Sequence, residues 1–173
     1  MTKQEANELI VKDVLNAQPD CVVMDELTEV YPSFFVFFYQ SKKYISSGKL
    51  KDMRVGQGPV IVCKNTSKVF ETSAAKSPLE YIKCFEACGD PLAELTDIIK
   101  IIAWVEGAEK VKATKLIKRY GNLGLADAKF IVDNVLEGNS SAFQVVDIQE
   151  IDQTVTDLVN LGFTAKRLWS NQC

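Results

Sequence analysis

Histidine and cysteine are the side chains that most often carry chemistry in proteins, and this chain of 173 residues has no histidine. That composition excludes Ser-His-Asp and Cys-His catalysis, histidine-ligated zinc and imidazole acid–base chemistry. Cys84 and Cys88 stand four residues apart on a predicted helix, which is half of a metal site, but no second pair matches them. The five cysteines are irregularly spaced: Cys21, Cys63, Cys84, Cys88 and Cys173. We therefore expect reduced, buried or incidental thiols, with no disulfide framework, no metal and no cofactor.

A second candidate for chemistry is the glycine-rich segment Gly56-Gln57-Gly58-Pro59. A phosphate-binding loop leads into a helix whose N-terminal amides hold the phosphate. Here the pattern of a strand follows instead, and Pro59 has no backbone N–H to donate. The segment is therefore interpreted as a plain turn. Carboxylate or lysine chemistry would require a cluster that the sequence does not show, so we expect no enzymatic activity.

Positive charge is concentrated on one predicted helix and the helix after it. Lys115, Lys118 and Arg119 share one helical face because they lie three and four residues apart. The remainder of this half of the chain is acidic, so the face forms a local positive patch. Such a patch suits an acidic protein partner and, more weakly, a phosphate backbone, whereas a solvated helix face is the alternative. The cluster consists of Lys110, Lys112, Lys115, Lys118, Arg119 and Lys129.

The first thirty residues have the opposite charge bias. Their seven acidic residues face only two basic ones, Lys3 and Lys12. An acidic rim of this kind steers association with a basic partner, such as a toxin or nuclease domain. We select Asp25, Glu26 and Glu29 as candidate contacts, and a solvated helix and loop accounts for the same charges equally well.

The bulk composition bounds the class and location of the protein. Hydrophobic residues make up 47% and charged residues 25%, which is usual for a globular chain, and the net charge is only −3. We therefore expect neither nucleic acid nor an anionic membrane as a partner. The longest apolar stretch, residues 34–39, is far shorter than a membrane span of about 20 residues. The N-terminus has no apolar segment of the signal-peptide type, so a cytoplasmic location is expected.

Apolar periodicity and turn residues predict a first module over residues 1–90, an antiparallel sheet with flanking helices. A helix over 2–17 starts with the capping-box pair Thr2 and Glu5, and another starts at Pro78. A short helix closed by Gly48 follows the aromatic strand, which we expect to be covered on both faces. Strands are predicted over 21–27, 34–39, 60–63 and 68–72.

A second module is predicted over residues 91–173, after the break at Gly89-Asp90-Pro91. Its elements follow the order β-α-α-β-α-β. Strands are predicted over 98–105, 143–146 and 163–168, and helices over 110–120, 125–136 and 148–161. Both modules mix helices with strands, so the expected fold class is α+β.

The second module resembles the C-terminal domain of the bacterial ribosomal stalk protein. Residues 110–129 align without a gap and end in the motif Gly-Leu-x-x-Ala-Lys, and Leu161-Gly162-Phe163 resembles the family's last helix-to-strand turn. In that family the basic helical face recruits translational GTPases. The positions that this resemblance implicates are Lys110, Lys115, Lys118 and Lys129. The sequence departs from the family at Asn122, where a glycine is usual, at Ala126, where a lysine is usual, and in lacking the dimerisation region and hinge.

The first module resembles the YrhB-like immunity proteins of bacterial polymorphic toxin systems. The shared pattern is an aromatic strand, a short helix, a Gly-x-Gly-Pro turn, a β-hairpin and a helix. The usual glycine of the hairpin loop is replaced around Ser67. The segments that carry the resemblance are residues 34–39, Lys43-Tyr44-Ile45, Gly56-Gln57-Gly58-Pro59, Val69-Phe70 and Glu80-Tyr81-Ile82.

Together these resemblances imply an immunity protein that binds an antibacterial toxin and neutralises it by covering the toxin's active site. The stalk-like module implies that the toxin acts on translation, for example as an ADP-ribosyltransferase. The alternative is a translation-associated adaptor that binds a translational GTPase through the basic face. The predicted partner-binding residues are Lys110, Lys115, Lys118, Arg119, Lys129, Asp25, Glu26 and Glu29.

Overall fold

The computed structural model describes residues 1–172, and Cys173 lies outside the described residues. The chain divides into two compact units, Met1–Leu92 and Ala93–Cys173. The division falls just after Gly89-Asp90-Pro91, where α3 (Pro78–Cys88) has ended with Gly89 in the left-handed conformation at φ 76°. Both units combine helices with antiparallel strands, so the predicted α+β class is confirmed.

The first unit is built around a four-stranded antiparallel sheet. The elements before α3 are α1 (Lys3–Asp13), β1 (Cys21–Val23), β2 (Glu29–Val30), β3 (Phe34–Phe37), β4 (Tyr39–Ser41), α2 (Lys42–Ser47), β5 (Gln57–Cys63) and β6 (Val69–Ser73). The strand order of the sheet is β2-β3-β5-β6, and β1 pairs with β4 in a separate two-stranded sheet. Thr2 with Glu5 and Ser77 with Glu80 form the capping boxes that start α1 and α3.

The aromatic strand β3 lies between two hydrophobic cores, as the apolar run predicted. Phe35 and Phe37 belong to a core that includes residues of α1. Phe34 and Val36 belong to a second core that includes residues of α3. Successive side chains of a strand point to opposite faces, so this one strand supplies both cores and all four of its residues are buried.

Two predicted strands are shorter than expected because both are interrupted, at positions that lie opposite each other. The strand predicted over 21–27 ends at Val23, and a 3-10 turn takes up Asp25–Leu27. The run 34–39 is divided at Phe38 into β3 and β4. The N–H of Met24 donates to the carbonyl oxygen of Phe38 at 2.8 Å, and this bond bridges the two interruptions.

The prediction that residues 56–59 form a plain turn is wrong. Gln57, Gly58 and Pro59 belong to β5, which pairs with β6 across an irregularity between Gln57 and Val60. A Cβ at Gly58 would lie 2.4 Å from the carbonyl oxygen of Ser73 and 2.3 Å from Oγ1 of Thr72. The glycine is therefore required by the close approach of β6, as is common at bulges.

The second unit has the predicted β-α-α-β-α-β order. The elements are β7 (Leu95–Trp104), α4 (Lys110–Tyr120), α5 (Leu125–Leu136), β8 (Ser141–Gln144), α6 (Ile151–Asn160) and β9 (Phe163–Trp169). The bounds predicted for α4 and α5 are confirmed. The strands form one antiparallel sheet in the order β8-β7-β9. Residues of all three helices share a core with Ile99 and Ile101, so the helices lie on that face of the sheet.

Candidate protein-binding surfaces

The basic helix α4 carries its exposed lysines on the side away from the core. Ala113 and Ile117 are fully buried among the core residues of the unit. Val111, Lys115 and Lys118 follow one another at i, i+4 and i+7 on the exposed side. Val111 is 66% exposed. The face that carries the predicted contact residues Lys115 and Lys118 therefore also presents an apolar side chain.

Lys110 differs from the other predicted contacts because it is paired within the unit. Its Nζ forms an ion pair with Oδ1 of Asp133, which joins α4 to α5. The Nζ of Lys112 lies 2.5 Å from Oε2 of Glu109. These two charges are therefore partly neutralised by intramolecular partners. The structure shows no such partner for Lys115 among residues 1–172.

Arg119 lies in the last turn of α4, where a cation interacts favourably with the C-terminal end of the helix dipole. Its guanidinium Cζ is 5.1 Å from the ring centroid of Tyr120, within the range of a cation–π contact. Tyr120 packs against the core of the unit. The contact thus holds an exposed guanidinium beside an anchored aromatic ring.

Lys129 is exposed on α5, and the residue after it is an exposed aromatic that the sequence analysis missed. Phe130 is 70% exposed. Ala128 and Val132, two residues to either side, are fully buried, so a helix of 3.6 residues per turn places Phe130 on the outer side. That pattern was the signal available in the sequence. Leu125, in the first turn of the same helix, is also exposed.

The turn between α4 and α5 sets the geometry of this surface. Asn122 has a φ of 49°, a left-handed conformation that asparagine adopts more readily than most residues. The asparagine therefore accommodates a backbone conformation for which glycine is the usual choice. The residue before Asn122 is Gly121. A Cβ at this position would lie 2.9 Å from the carbonyl oxygen of Ile117, so the close approach of the backbone requires glycine here.

The predicted acidic contacts lie together along one side of the first unit. Asp25 and Glu26 belong to the 3-10 turn that follows β1, and Glu29 begins β2. The Nζ of Lys3 lies 2.8 Å from Oδ1 of Asp25 and donates to its carbonyl oxygen at 3.1 Å. Tyr31 donates its hydroxyl to Oε2 of Glu29 at 2.8 Å, and this hydrogen bond raises the pKa of Tyr31.

Exposed apolar side chains accompany these carboxylates. Leu27, in the same 3-10 turn, is exposed, and Val30 of β2 is 63% exposed. β2 pairs with β3 on one side and stands at the edge of the sheet. The edge is therefore a mixed acidic and apolar surface, whereas the α4–α5 surface is mixed basic and apolar.

The thiols of α3 point to the end of their own helix. The Sγ atoms of Cys84 and Cys88 donate to the carbonyl oxygen of Asp90 at 3.1 and 3.3 Å. Burial and the neighbouring Cys88 raise the pKa of Cys84 to about 11, so this thiol is protonated at neutral pH. Among residues 1–172, no group of three or more histidine, cysteine or acidic side chains is arranged to hold a metal ion. No helix in this part of the chain has the length and apolar character needed to span a membrane.

Comparison of the chain with protein-family models, with curated proteins and with solved structures finds no significant match in any of the three.

Proposed function

We propose that this chain is an immunity protein, which binds an antibacterial toxin in the cytoplasm and neutralises it by covering the toxin's active site. The observation that carries the proposal is the exposure of large apolar side chains within charged surfaces. On the two candidate surfaces, Phe130 of α5 is 70% exposed and Val30 of β2 is 63% exposed. Apolar side chains that are exposed together within a charged rim commonly mark protein interfaces, and aromatic residues are enriched at the centres of such interfaces.

The α4–α5 surface has the composition of a binding site for an acidic protein. Val111 and Phe130 supply apolar contacts, and Lys115, Lys118 and Lys129 supply exposed positive charge. Aromatic anchors in the centre of an interface contribute most of the binding energy, whereas charges at the rim mainly set specificity and association rate. We therefore assign affinity to Phe130 and choice of partner to the lysines.

The edge formed by Asp25, Glu26, Leu27, Glu29 and Val30 suits a basic protein surface by the same reasoning. One surface on each unit would allow a toxin to be contacted at two places. A standard interface buries about 1,600 Å² in total, which is sufficient for nanomolar affinity when its central contacts are well formed. Inhibition by steric occlusion needs no chemistry from the chain.

The resemblance of the second unit to the stalk domain supports a narrower proposal. A toxin that modifies a translational GTPase, such as an ADP-ribosyltransferase, would share its target with the stalk domain. We propose that a surface related to the target's natural partner is used here against the toxin. ADP-ribosyltransferases that modify translational GTPases are therefore the first class of toxin to test.

The experiment is co-expression of the full chain with the toxin-domain gene that neighbours it, in a sensitive cell. We expect growth to be rescued by the wild-type chain and the purified pair to co-elute as a one-to-one complex. Phe130→Ser should weaken the complex, whereas Leu79→Ser, at an exposed position on α3, serves as a matched control. Absence of both rescue and co-elution would show that the immunity proposal is wrong.

A second candidate function is an adaptor that binds a translational GTPase through α4 and α5. The observation in its favour is that Lys115 and Lys118 are exposed on the face that the stalk resemblance implicates. Affinity capture with the full chain distinguishes the two candidates. Recovery of an elongation factor, lost in the variant Lys115→Ala/Lys118→Ala, supports the adaptor, and recovery of a toxin domain supports the immunity protein.

A further inference from the structure

Two lysines face each other on the sheet of the second unit. Lys100 of β7 and Lys166 of β9 are direct cross-strand partners, so their side chains emerge on the same face of the sheet. Ile99 and Ile101, on either side of Lys100, point to the helix-covered core. The lysines therefore lie on the opposite, outer face.

The pairing is unfavourable without an anionic partner. Like charges directly opposite each other destabilise an antiparallel pair. Lys100 is half-buried, which makes water a poorer screen for its charge. Within residues 1–172, neither lysine forms an ion pair or a side-chain hydrogen bond. The chain has 23 acidic and 20 basic residues, yet none of the described residues that line the cleft around the two lysines is acidic.

The surroundings of the two lysines form a shallow cleft of about 300 Å³ with both polar and apolar walls. Ile102 is 42% exposed at one side of the cleft, and Leu168 forms a buried apolar part of its floor. Ser140 and Gln172 add side chains that are able to donate hydrogen bonds. The cleft therefore offers positive charge and apolar surface close enough together for neighbouring side chains of one ligand to contact both.

We propose that the outer face of the β8-β7-β9 sheet is a further protein-binding surface, which takes an acidic segment of a partner protein. A carboxylate of that segment lies between the ammonium groups of Lys100 and Lys166. An apolar side chain two residues away along an extended segment packs on Ile102, because residues i and i+2 of a strand face the same way. Charge complementarity selects the occupant, since an acidic group removes the repulsion between the lysines.

Protein is favoured over nucleic acid as the occupant for two reasons. Nucleic-acid surfaces carry a stripe of cations that follows the phosphates, and the cleft has only one lysine pair beside exposed isoleucine. The chain as a whole is also acidic, with an isoelectric point of about 5.1. The proposal uses neither the α4–α5 surface nor the acidic edge, so it stands or falls independently of the proposed function.

The test uses the full chain and a blocked octapeptide, Ser-Glu-Ser-Leu-Ser-Glu-Ser-Leu, whose glutamate and leucine side chains alternate on one face of an extended strand. Its glutamine counterpart is the control for charge. Binding is followed by amide chemical-shift changes in nitrogen–proton NMR spectra. The variant Lys100→Gln/Lys166→Gln is compared with Lys49→Gln/Lys51→Gln, which removes two exposed lysines from the first unit instead.

We expect shifts centred on β7 and β9 and affinity about tenfold weaker in Lys100→Gln/Lys166→Gln, with Lys49→Gln/Lys51→Gln unchanged. The first variant should also keep or raise its melting temperature, because a repulsive pair is gone. Shifts centred on α4 and α5, equal binding of the glutamine peptide, or no binding at about 5 mM peptide overturns the proposal. Tighter binding of a twelve-nucleotide thymidine strand through the same two lysines also overturns it and assigns the face to nucleic acid.

Discussion

Phe130 and Ile117 are large apolar residues of neighbouring helices, and they have opposite environments. Phe130 is mostly exposed, whereas Ile117 is fully buried. We expect Phe130→Ser to change the free energy of unfolding by less than about 0.5 kcal/mol, as is usual for surface substitutions. Ile117→Ala should cost about 2–5 kcal/mol, because it leaves a cavity in a packed core. Urea unfolding of both variants measures the difference.

Equal destabilisation by the two substitutions would show that Phe130 is packed in solution. In that case it would not be available to a partner. Loss of partner binding in Phe130→Ser without loss of stability would separate the two roles that an apolar residue can have.

The exposed lysines are expected to be dispensable for folding. Replacing Lys115, Lys118 and Lys129 together with alanine should lower the free energy of unfolding by under about 1 kcal/mol per residue, because exposed charges contribute little. Thermal unfolding gives the measurement, with Lys49→Ala/Lys51→Ala in the first unit as the control. A large loss of melting temperature in the triple variant alone would show that the basic face is structural.

For individual residues, the sequence predicts part of the α4–α5 surface. The spacing of Lys115 and Lys118 was sufficient to place them on one face, because helical geometry is local. The ion pair of Lys110 with Asp133 could not be predicted, since it depends on how two helices pack. Phe130 was missed because an aromatic residue in a helix is usually attributed to the core.

Among the elements, β5 depends most clearly on a single residue, Gly58. Gly58→Ala should destabilise the first unit by about 1–3 kcal/mol, the usual cost of overpacking. The added Cβ would meet both the backbone of Ser73 and the side chain of Thr72. Combining it with Thr72→Ala removes the side-chain clash but also the buried hydrogen bond that Thr72 donates to the carbonyl oxygen of Pro59 at 2.7 Å, so we expect partial recovery at most.

Chemical denaturation of the single and double variants measures these effects. Full stability in Gly58→Ala would mean that β5 and β6 separate at this point without cost. The close approach would then not explain the glycine.

The starts of α1 and α3 make stability depend on pH. Hydrogen bonds from Ser77 lower the pKa of Glu80 below its ordinary value of 4.5, and those from Thr2 do the same for Glu5. A carboxylate with a lowered pKa in the folded state stabilises fully above its unfolded pKa. That contribution is lost as the pH falls through the lower, folded-state value.

Glu80→Gln should therefore lose less melting temperature than the wild type between about pH 5 and about pH 3. The matched control is Glu86→Gln, in the later part of the same helix, which has no role in the capping box. Parallel pH profiles for the wild type and Glu80→Gln would contradict the assignment. The variants are compared by the slope of melting temperature against pH. A change in stability that is the same at every pH therefore does not affect the result.

The bounds of α4 and α5 were predicted correctly, whereas the strand predicted over 34–39 is divided and the helix predicted over 2–17 ends at Asp13. The bounds of α4 and α5 follow from periodicity and end signals within each segment. By contrast, the strand is divided at Phe38, whose carbonyl oxygen accepts a hydrogen bond from Met24, a residue that is distant in the sequence. Gly58 and Pro59 have the composition of a turn, but pairing with β6 decides their conformation.

For the whole molecule, we expect residues 1–92 and 93–173 to fold separately. The cores of the first unit and the core of the second share no residue. Each fragment, produced alone, should show a cooperative thermal transition and a dispersed proton NMR spectrum. Limited proteolysis of the full chain should cut between residues 89 and 92.

If neither fragment folds and no cut occurs there, the chain is a single fused domain. Slow cutting between residues 89 and 92 would not by itself contradict separate folding. The thiols of Cys84 and Cys88 bond the carbonyl oxygen of Asp90, and the N–H of Leu92 donates to its side chain at 2.9 Å, so this segment is held in place.

The position of β3 between two cores has a consequence for how the first unit comes apart. Neither α1 nor α3 can leave the sheet without exposing one side of the same four residues, Phe34–Phe37. Detachment of one helix weakens β3, on which the packing of the other helix depends. Detaching a single helix is therefore little easier than unfolding the whole unit. The backbone amides of β3 that bond to β5 should therefore exchange with deuterated solvent only when the whole unit unfolds, and those of the two-residue strand β2 should exchange far sooner.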